Sequence, residues 1–228
     1  MVVNNNNDHE ISTLHNYNID IRNREVFLHS PTDYDEESGV EYRSAITFEK
    51  NVRHLNHLSL DPILVHMHIP GGDWQDCMAI YDTVTYSKAP IAILAYAKVE
   101  SASGILFQSA PLRVMMPNAN MLIHYGSLAL DAEHKAAIAT FAWSQKESQK
   151  MINIFTDKCM GSPLAESKKW KKMMVKRHIV SQLDSKSDWI LDPEESVDYG
   201  FADGVLGSRK FPNIDTIKSA LSKSKKKR

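Results

Sequence analysis

Residues 62–84 read "PILVHMHIPGGDWQDCMAIYDTV" and join a short apolar run to an amphipathic one through two adjacent glycines. The first run, 62–69, is too short for an ordinary helix and stops at Pro70, so it reads as a buried strand. After Gly71 and Gly72, Asp73 is placed to cap a helix. Cys77, Ile80, Tyr81 and Val84 then recur on one helical face. Glycines at the carboxyl end of a buried strand let backbone N–H groups approach a ligand, and α/β folds place ligands at that end. The spacing fits neither a dinucleotide loop nor a P-loop, and a plain turn is the simpler reading of these residues alone.

The same alternation extends in both directions. "REVFLHS" (24–30) is expected to be a first strand, 31–44 a loop, and 45–58 a helix with Ala45, Phe48, Val52 and Leu55 on one face. "PIAILAYA" (90–97) is a second buried strand. It leads into "AKVESASGILF" (97–107), whose end reads as a buried helix. "LRVMMP" and "ANMLIHYG" are further strands. A long amphipathic helix is expected over 131–160, another over 164–183, a short one over 193–200, and a last strand in "FADGVL". Strands alternating with helices argue for an α/β domain with mostly parallel strands, assigned here to 23–207. Residues 1–22, polar and Asn-rich, are read as a flexible arm, and 208–228 as a basic tail.

Bulk properties exclude several classes. The chain has 228 residues, 27 basic and 28 acidic side chains, and 43% hydrophobic residues, which suits a soluble globular protein with a real core. No apolar run is long enough to span a bilayer, and the N-terminus has no secretory signal pattern. Cys77 and Cys159 are far apart and outside any C-x-x-C pair, which fits a reducing cytoplasm. Residues 167–178 are strongly basic, and the basic run 223–228 reads as a solvated end, since no nucleic-acid-binding motif accompanies it. His66 and His68 share one strand face, but no further ligand at telling spacing makes them a metal site.

Ser101 and Ser103 each precede an apolar run, so each is a candidate helix N-cap. A serine nucleophile needs a base and an oriented oxyanion site. His124, at the end of "NMLIH", is the histidine whose role depends on finding such a partner.

Together these blocks resemble the proteolytic subunit of the Clp protease (ClpP), within the wider ClpP/crotonase fold. "PGGDWQDCMAIYDTV" is similar to that family's "SPGG…G.aIYDtM", "MPNANMLIH" to "LPN…iMiH", and "SDWILDPEESVDYGFADGVL" to "RDrfms..EAveyGliD.il". The resemblance implies repeated β-β-α units with a protruding handle helix, here 131–160. It places the nucleophile on Ser101, the general base on His124 and the catalytic Asp on Asp188. The oxyanion donors fall on Gly72 and Ala102. It implies a serine endopeptidase acting on unfolded chains inside stacked seven-membered rings, with a separate AAA+ unfoldase that uses ATP, and no cofactor or metal. The family's "GQAAS" is "AKVES" here, Ser103 replaces a glycine, and the Gly-rich stretch after the histidine becomes "YGSLALDAEH". A Ser–Lys dyad using Lys98, an inactive ring or scaffold subunit, and a crotonase-type acyl-thioester enzyme are the alternatives.

Overall fold

Parallel sheets bury both faces, and the runs 63–67 and 91–95 of this chain are buried throughout. The computed structural model describes residues 5–30, 39–129 and 131–225. Numbered in chain order, the elements begin with α1 (Asn5–Tyr17), β1 (Ile19–Asp20), β2 (Glu25–His29), α2 (Tyr42–Leu58), β3 (Ile63–His68) and α3 (Trp74–Thr85). Then come β4 (Ile91–Ala95), β5 (Lys98–Glu100), α4 (Ala102–Phe107), β6 (Leu112–Met115), β7 (Asn120–Ile123) and α5 (His134–Cys159). The chain continues through α6 (Pro163–Ser167), α7 (Lys172–Lys186), β8 (Trp189–Leu191), α8 (Pro193–Asp198), β9 (Gly204–Val205) and α9 (Asp215–Lys225).

Six strands form one sheet in the order β1-β2-β3-β4-β6-β9, with every pairing parallel except β1–β2. A second sheet has the order β5-β7-β8. The repeated unit is visible in β4-β5-α4 and β6-β7-α5. In each, the first strand enters the large sheet and the second enters the small one. On one face of the large sheet, Ile63, Val65, Met67, Ile91 and Ile93 share a core with residues from α2 to α5. Leu64, Ala92, Leu94 and Val114 point to the other face.

Only the last turns of α5 are buried, through Met151, Ile152, Phe155, Thr156 and Cys159. Its earlier turns project with Ile138, Phe141 and Trp143 more than half exposed. At about 1.5 Å per residue the helix is about 39 Å long, so the handle stands well clear of its own core.

Several expectations need correction. The helix foreseen at 164–183 is two helices, α6 and α7, broken where Lys169 takes a φ of 51°. The short strands β1, β5 and β8 have too few residues to show a period. The described part of the stretch read as a flexible arm holds α1 and β1, and Ile19 is buried against the core. Of the loop expected over 31–44, residues 31–38 lie outside the described residues, as do the side chains of 223–228.

The stretch read as a basic tail also contributes to the core. Phe211, Ile217 and Leu221 cover the second face of the large sheet, over Leu64, Ala92, Leu94 and Val114. Lys218 reaches back to the carboxylate of Glu25, which also accepts from His66 at 3.0 Å. Burial opposes the charge on Glu25, but these hydrogen bonds more than offset it and hold the carboxyl below its ordinary range. The charged pattern of α9 hides a two-residue apolar stripe, Ile217 and Leu221, one turn apart. Ile217→Ala is expected to lower unfolding stability by about 2–5 kcal/mol in urea denaturation. A change within about 0.5 kcal/mol would mean that α9 does not seal this face.

Candidate active site

The small sheet determines which side chains meet. β5 and β7 run parallel, with Glu100 opposite Leu122, and β8 runs antiparallel to β7, with Ile123 opposite Trp189. The residue after β5, the residue after β7 and the residue before β8 therefore emerge at one edge. They are Ser101, His124 and Asp188. Sequence separations of 23 and 64 residues collapse to hydrogen-bond distance. His124 Nε2 lies 2.7 Å from Ser101 Oγ, and its Nδ1 lies 3.2 Å from Asp188 Oδ1.

Ser101 sits at the N-cap position of α4, as the sequence suggests, but its side chain makes no cap bond. Its backbone has a φ of 56°, a conformation that costs a non-glycine residue about 1–3 kcal/mol. The turn is held from several sides. Ser101 N–H donates to Leu122 O at 2.8 Å, and Gly104 N–H donates to Ser101 O at 3.1 Å. Ser103 Oγ accepts from Glu100 N–H at 2.9 Å and donates to Glu100 O at 2.8 Å. Strand, strained turn and helix thus aim the Ser101 hydroxyl outward. Beneath the turn, Cys77 Sγ donates to Ala102 O at 3.0 Å; burial pushes this thiol up to about 12.

The glycine turn closes over the serine. A Cβ on Gly71 would lie 2.5 Å from Ser101 Cβ, 2.8 Å from its Oγ and 3.0 Å from Ala102 N. A Cβ on Gly72 would collide with the backbone of Val40, with which it forms a parallel bridge. That bridge uses Val40 N–H to Gly71 O and Asp73 N–H to Val40 O. It leaves the Gly72 amide without an acceptor among the described residues. Ala102, first residue of its helix, likewise has no intrahelical acceptor. Asp73 then caps α3 by accepting from Gln75 and Asp76 N–H.

Behind Asp188, Trp189 is fully buried and meets Tyr199 and Phe201 edge-on, at 5.0 and 5.9 Å between ring centroids. Such packing fixes the start of β8. The Asp188 carboxylate itself is 59% exposed. Glu100, adjacent to Ser101, accepts from Asn120 Nδ2 at 3.1 Å across the β5–β7 pair.

A cleft of about 750 Å³ opens beside Ser101 and His124 and is walled by Ile105, Trp74, Phe141 and Met151. The sequence reading missed Phe141 and Met151 as cleft residues. With Ser144 and Ser148 they recur at positions i, i+3, i+7 and i+10 of α5, a helical stripe that was legible as one face. Of the other histidines, His66 is held between Tyr96 and Glu25. Among the described residues no group of three or more His, Cys, Asp or Glu could hold a metal ion, and no helix is long and apolar enough to cross a membrane.

This arrangement can transfer a proton from a hydroxyl to an imidazole steadied by a carboxylate, next to two free amides. Gly71→Ala is expected to displace the Ser101 side chain from His124. The rate of Ser101 labelling by a fluorophosphonate should fall at least about a hundredfold, while far-UV circular dichroism stays unchanged.

The family model of the Clp protease matches residues 15–209. The chain is 32% identical over 166 residues to the ATP-dependent Clp protease proteolytic subunit 2 of Mycobacterium leprae, a match covering 67% of this chain and 68% of that one. It is 31% identical over 158 residues to the proteolytic subunit 1 of Mycolicibacterium paratuberculosis, covering 67% and 69%. Its fold overlays on that of a mutant ClpP1 from Listeria monocytogenes with a TM-score of 0.63 and 18% identity, covering 86% of this chain and 96% of the other. The overlay speaks for the fold, and the family match spans both sheets and all three residues at their shared edge: this chain belongs to the Clp protease family.

Proposed function

We propose that the chain is the proteolytic subunit of a Clp-type, ATP-dependent serine endopeptidase, with Ser101 as nucleophile, His124 as general base and Asp188 as its orienting carboxylate. The observation that carries the reading is the unbroken relay from Ser101 Oγ through His124 to Asp188. Ser101 Oγ attacks the scissile carbonyl while His124 Nε2 takes its proton. Asp188 accepts from Nδ1–H, which fixes the tautomer that leaves Nε2 free and stabilises the imidazolium. The oxyanion of the tetrahedral intermediate is bound by the Gly72 and Ala102 amides, donors of a kind worth about 10²–10³ each in rate. His124 then protonates the leaving amine. Water, activated by the same imidazole, releases the acyl group from Ser101.

The departures from the family pattern are compatible with activity. Ser103 replaces a glycine but spends its hydroxyl on Glu100 backbone. Glu100 turns its carboxylate toward Asn120. Both contacts favour an active subunit over a purely scaffolding one. The imidazole at 2.7 Å favours His124 over Lys98 as the base. A crotonase-type reaction gives the relay no shared purpose. Labelling with a fluorophosphonate probe tests the assignment. Wild type and Ser103→Ala are expected to label and Ser101→Ala is not. Label retained in Ser101→Ala would overturn the choice of serine.

The assembled form in this reading is two stacked seven-membered rings around a chamber, located in the cytoplasm. An AAA+ unfoldase feeds it unfolded chain and supplies the ATP-driven step, since this sequence has no P-loop. The uncovered first turns of α5, with Ile138 and Trp143 exposed, support packing against a second copy. Native mass spectrometry is expected to give a fourteen-chain species, or seven chains for a single ring. A stable 25.8 kDa monomer would overturn the ring reading.

A further inference from the structure

A triad carboxylate is ordinarily buried and held by its surroundings. Asp188 is neither. Its side chain is 59% exposed, and among the described residues its carboxylate has one hydrogen-bond partner, His124. The residue before it, Ser187, ends α7 with a φ of 59°. Trp189 and the buried Leu183 fix the chain on either side of Asp188, so what remains to be held is the polar surface between the end of α7 and the end of β7.

Among the described residues, one side-chain hydrogen bond joins the end of α7 to the residue after His124. Tyr125, the residue after His124, donates its phenolic hydrogen to Asp184 Oδ1 at 3.0 Å. Asp184 lies in the last turn of α7, four residues before Asp188 in the chain. The contact thus lies just beyond the His124–Asp188 pair, on the side away from the Ile123–Trp189 pairing, and joins the two chain segments that carry the pair. We infer that the Tyr125–Asp184 hydrogen bond is a latch that positions Asp188 against His124, with both members acting as positioning residues. The inference rests on the triad reading given above.

The chemistry suits a latch. A phenol donating to a carboxylate makes a charge-assisted bond, stronger than one between neutral groups. Burial, the bond itself and the charge of Asp184 push the Tyr125 hydroxyl up to about 12, so it stays protonated as a donor. Tyr125 also lines the cleft beside Ser101, so an incoming chain passes next to the latch. The backbone pairing of Ile123 with Trp189 sets the strand register. It leaves the Asp188 side chain, outside that pairing, to be oriented by what precedes it.

The test uses the full chain, a short fluorogenic peptide and a fluorophosphonate. Tyr125→Phe removes one oxygen and is expected to lower kcat and the labelling rate about tenfold, with KM changed less than about twofold. Asp184→Leu should match it, and the double variant should be no slower than the slower single one, because both delete the same bond. Asp184→Asn keeps an oxygen acceptor and should lose less than Asp184→Leu. Unchanged rates in Tyr125→Phe, or losses that multiply in the double variant, overturn the latch. So does a raised KM with kcat unchanged, which would make Tyr125 only a wall of the cleft. Should Asp184→Leu fail to fold, Tyr125→Phe decides alone. A wild type that does not label, beside a reactive ClpP control, overturns the triad reading and the latch with it. Labelling at Ser101 that proceeds equally fast in Tyr125→Phe overturns the latch alone.

Discussion

The close approach of Gly71 to Ser101 is the constraint on which the rest of the site depends. The turn after β3 passes so near the serine that no Cβ fits between them. That proximity brings the glycine turn, Ser101 and Ala102 to the wall of one cleft. It also ties together two separate layers. β3 belongs to the large sheet and β5 to the small one, so the turn is where the two sheets are fastened. The strained φ of Ser101 is affordable because Leu122, Gly104 and Ser103 each hold one side of it. Remove any of these and the backbone has a cheaper conformation to relax into.

The relay depends on a second kind of support, packing behind the strands. His124 is carried by β7, the middle strand of its sheet, and inherits its position from hydrogen bonds on both sides. Asp188 is carried by an edge strand of only three residues. Its anchor is Trp189, enclosed by Tyr199 and Phe201, with His178 stacked on Tyr199 and bonded to its hydroxyl at 2.9 Å. Burial and the nearby lysines hold His178 below its ordinary range, so it sits in this box as a neutral ring. Farther along the same segment, Asp203 receives a fork from the buried Arg113 of β6, which also donates to Gln108 and Gly200 O. This pins β9 beside β6, and breaking one half would leave an uncompensated charge, a loss of about 3–5 kcal/mol.

Residues far from the site complete the scaffold rather than the chemistry. The large sheet presents apolar side chains on both faces, and a parallel sheet so built must be covered twice. Helices α2 to α5 cover one face. The other is covered by Phe211 and α9, from a stretch whose composition is dominated by lysine and serine. Its apolar residues are sparse, but they are spaced so that they meet Leu64, Leu94 and Val114 together. Composition averages over such spacing, which is why the tail looked solvated.

The sequence by itself determined the alternation of strands and helices, the Asp73 cap, the family and the three residues that converge. The first two follow from local patterns, short apolar runs closed by Pro or Gly and helical spacing, and the last two from the resemblance of three blocks, in order, to the Clp protease family. Tertiary structure decided what local pattern cannot carry. Strands β1, β5 and β8 exist because a neighbour offers hydrogen bonds, not because two or three residues show a period. Ser101 and Ser103 are near-equivalent N-cap candidates in one dimension. Only the positive φ and the approach of His124 separate the hydroxyl that faces the cleft from the one that ties the turn. In one dimension Glu100 is only the residue before Ser101, and it is the β5–β7 pairing that brings Asn120 to its carboxylate. Distance between residues far apart in the chain is a property of sheet order, and sheet order is written in contacts rather than in any single stretch.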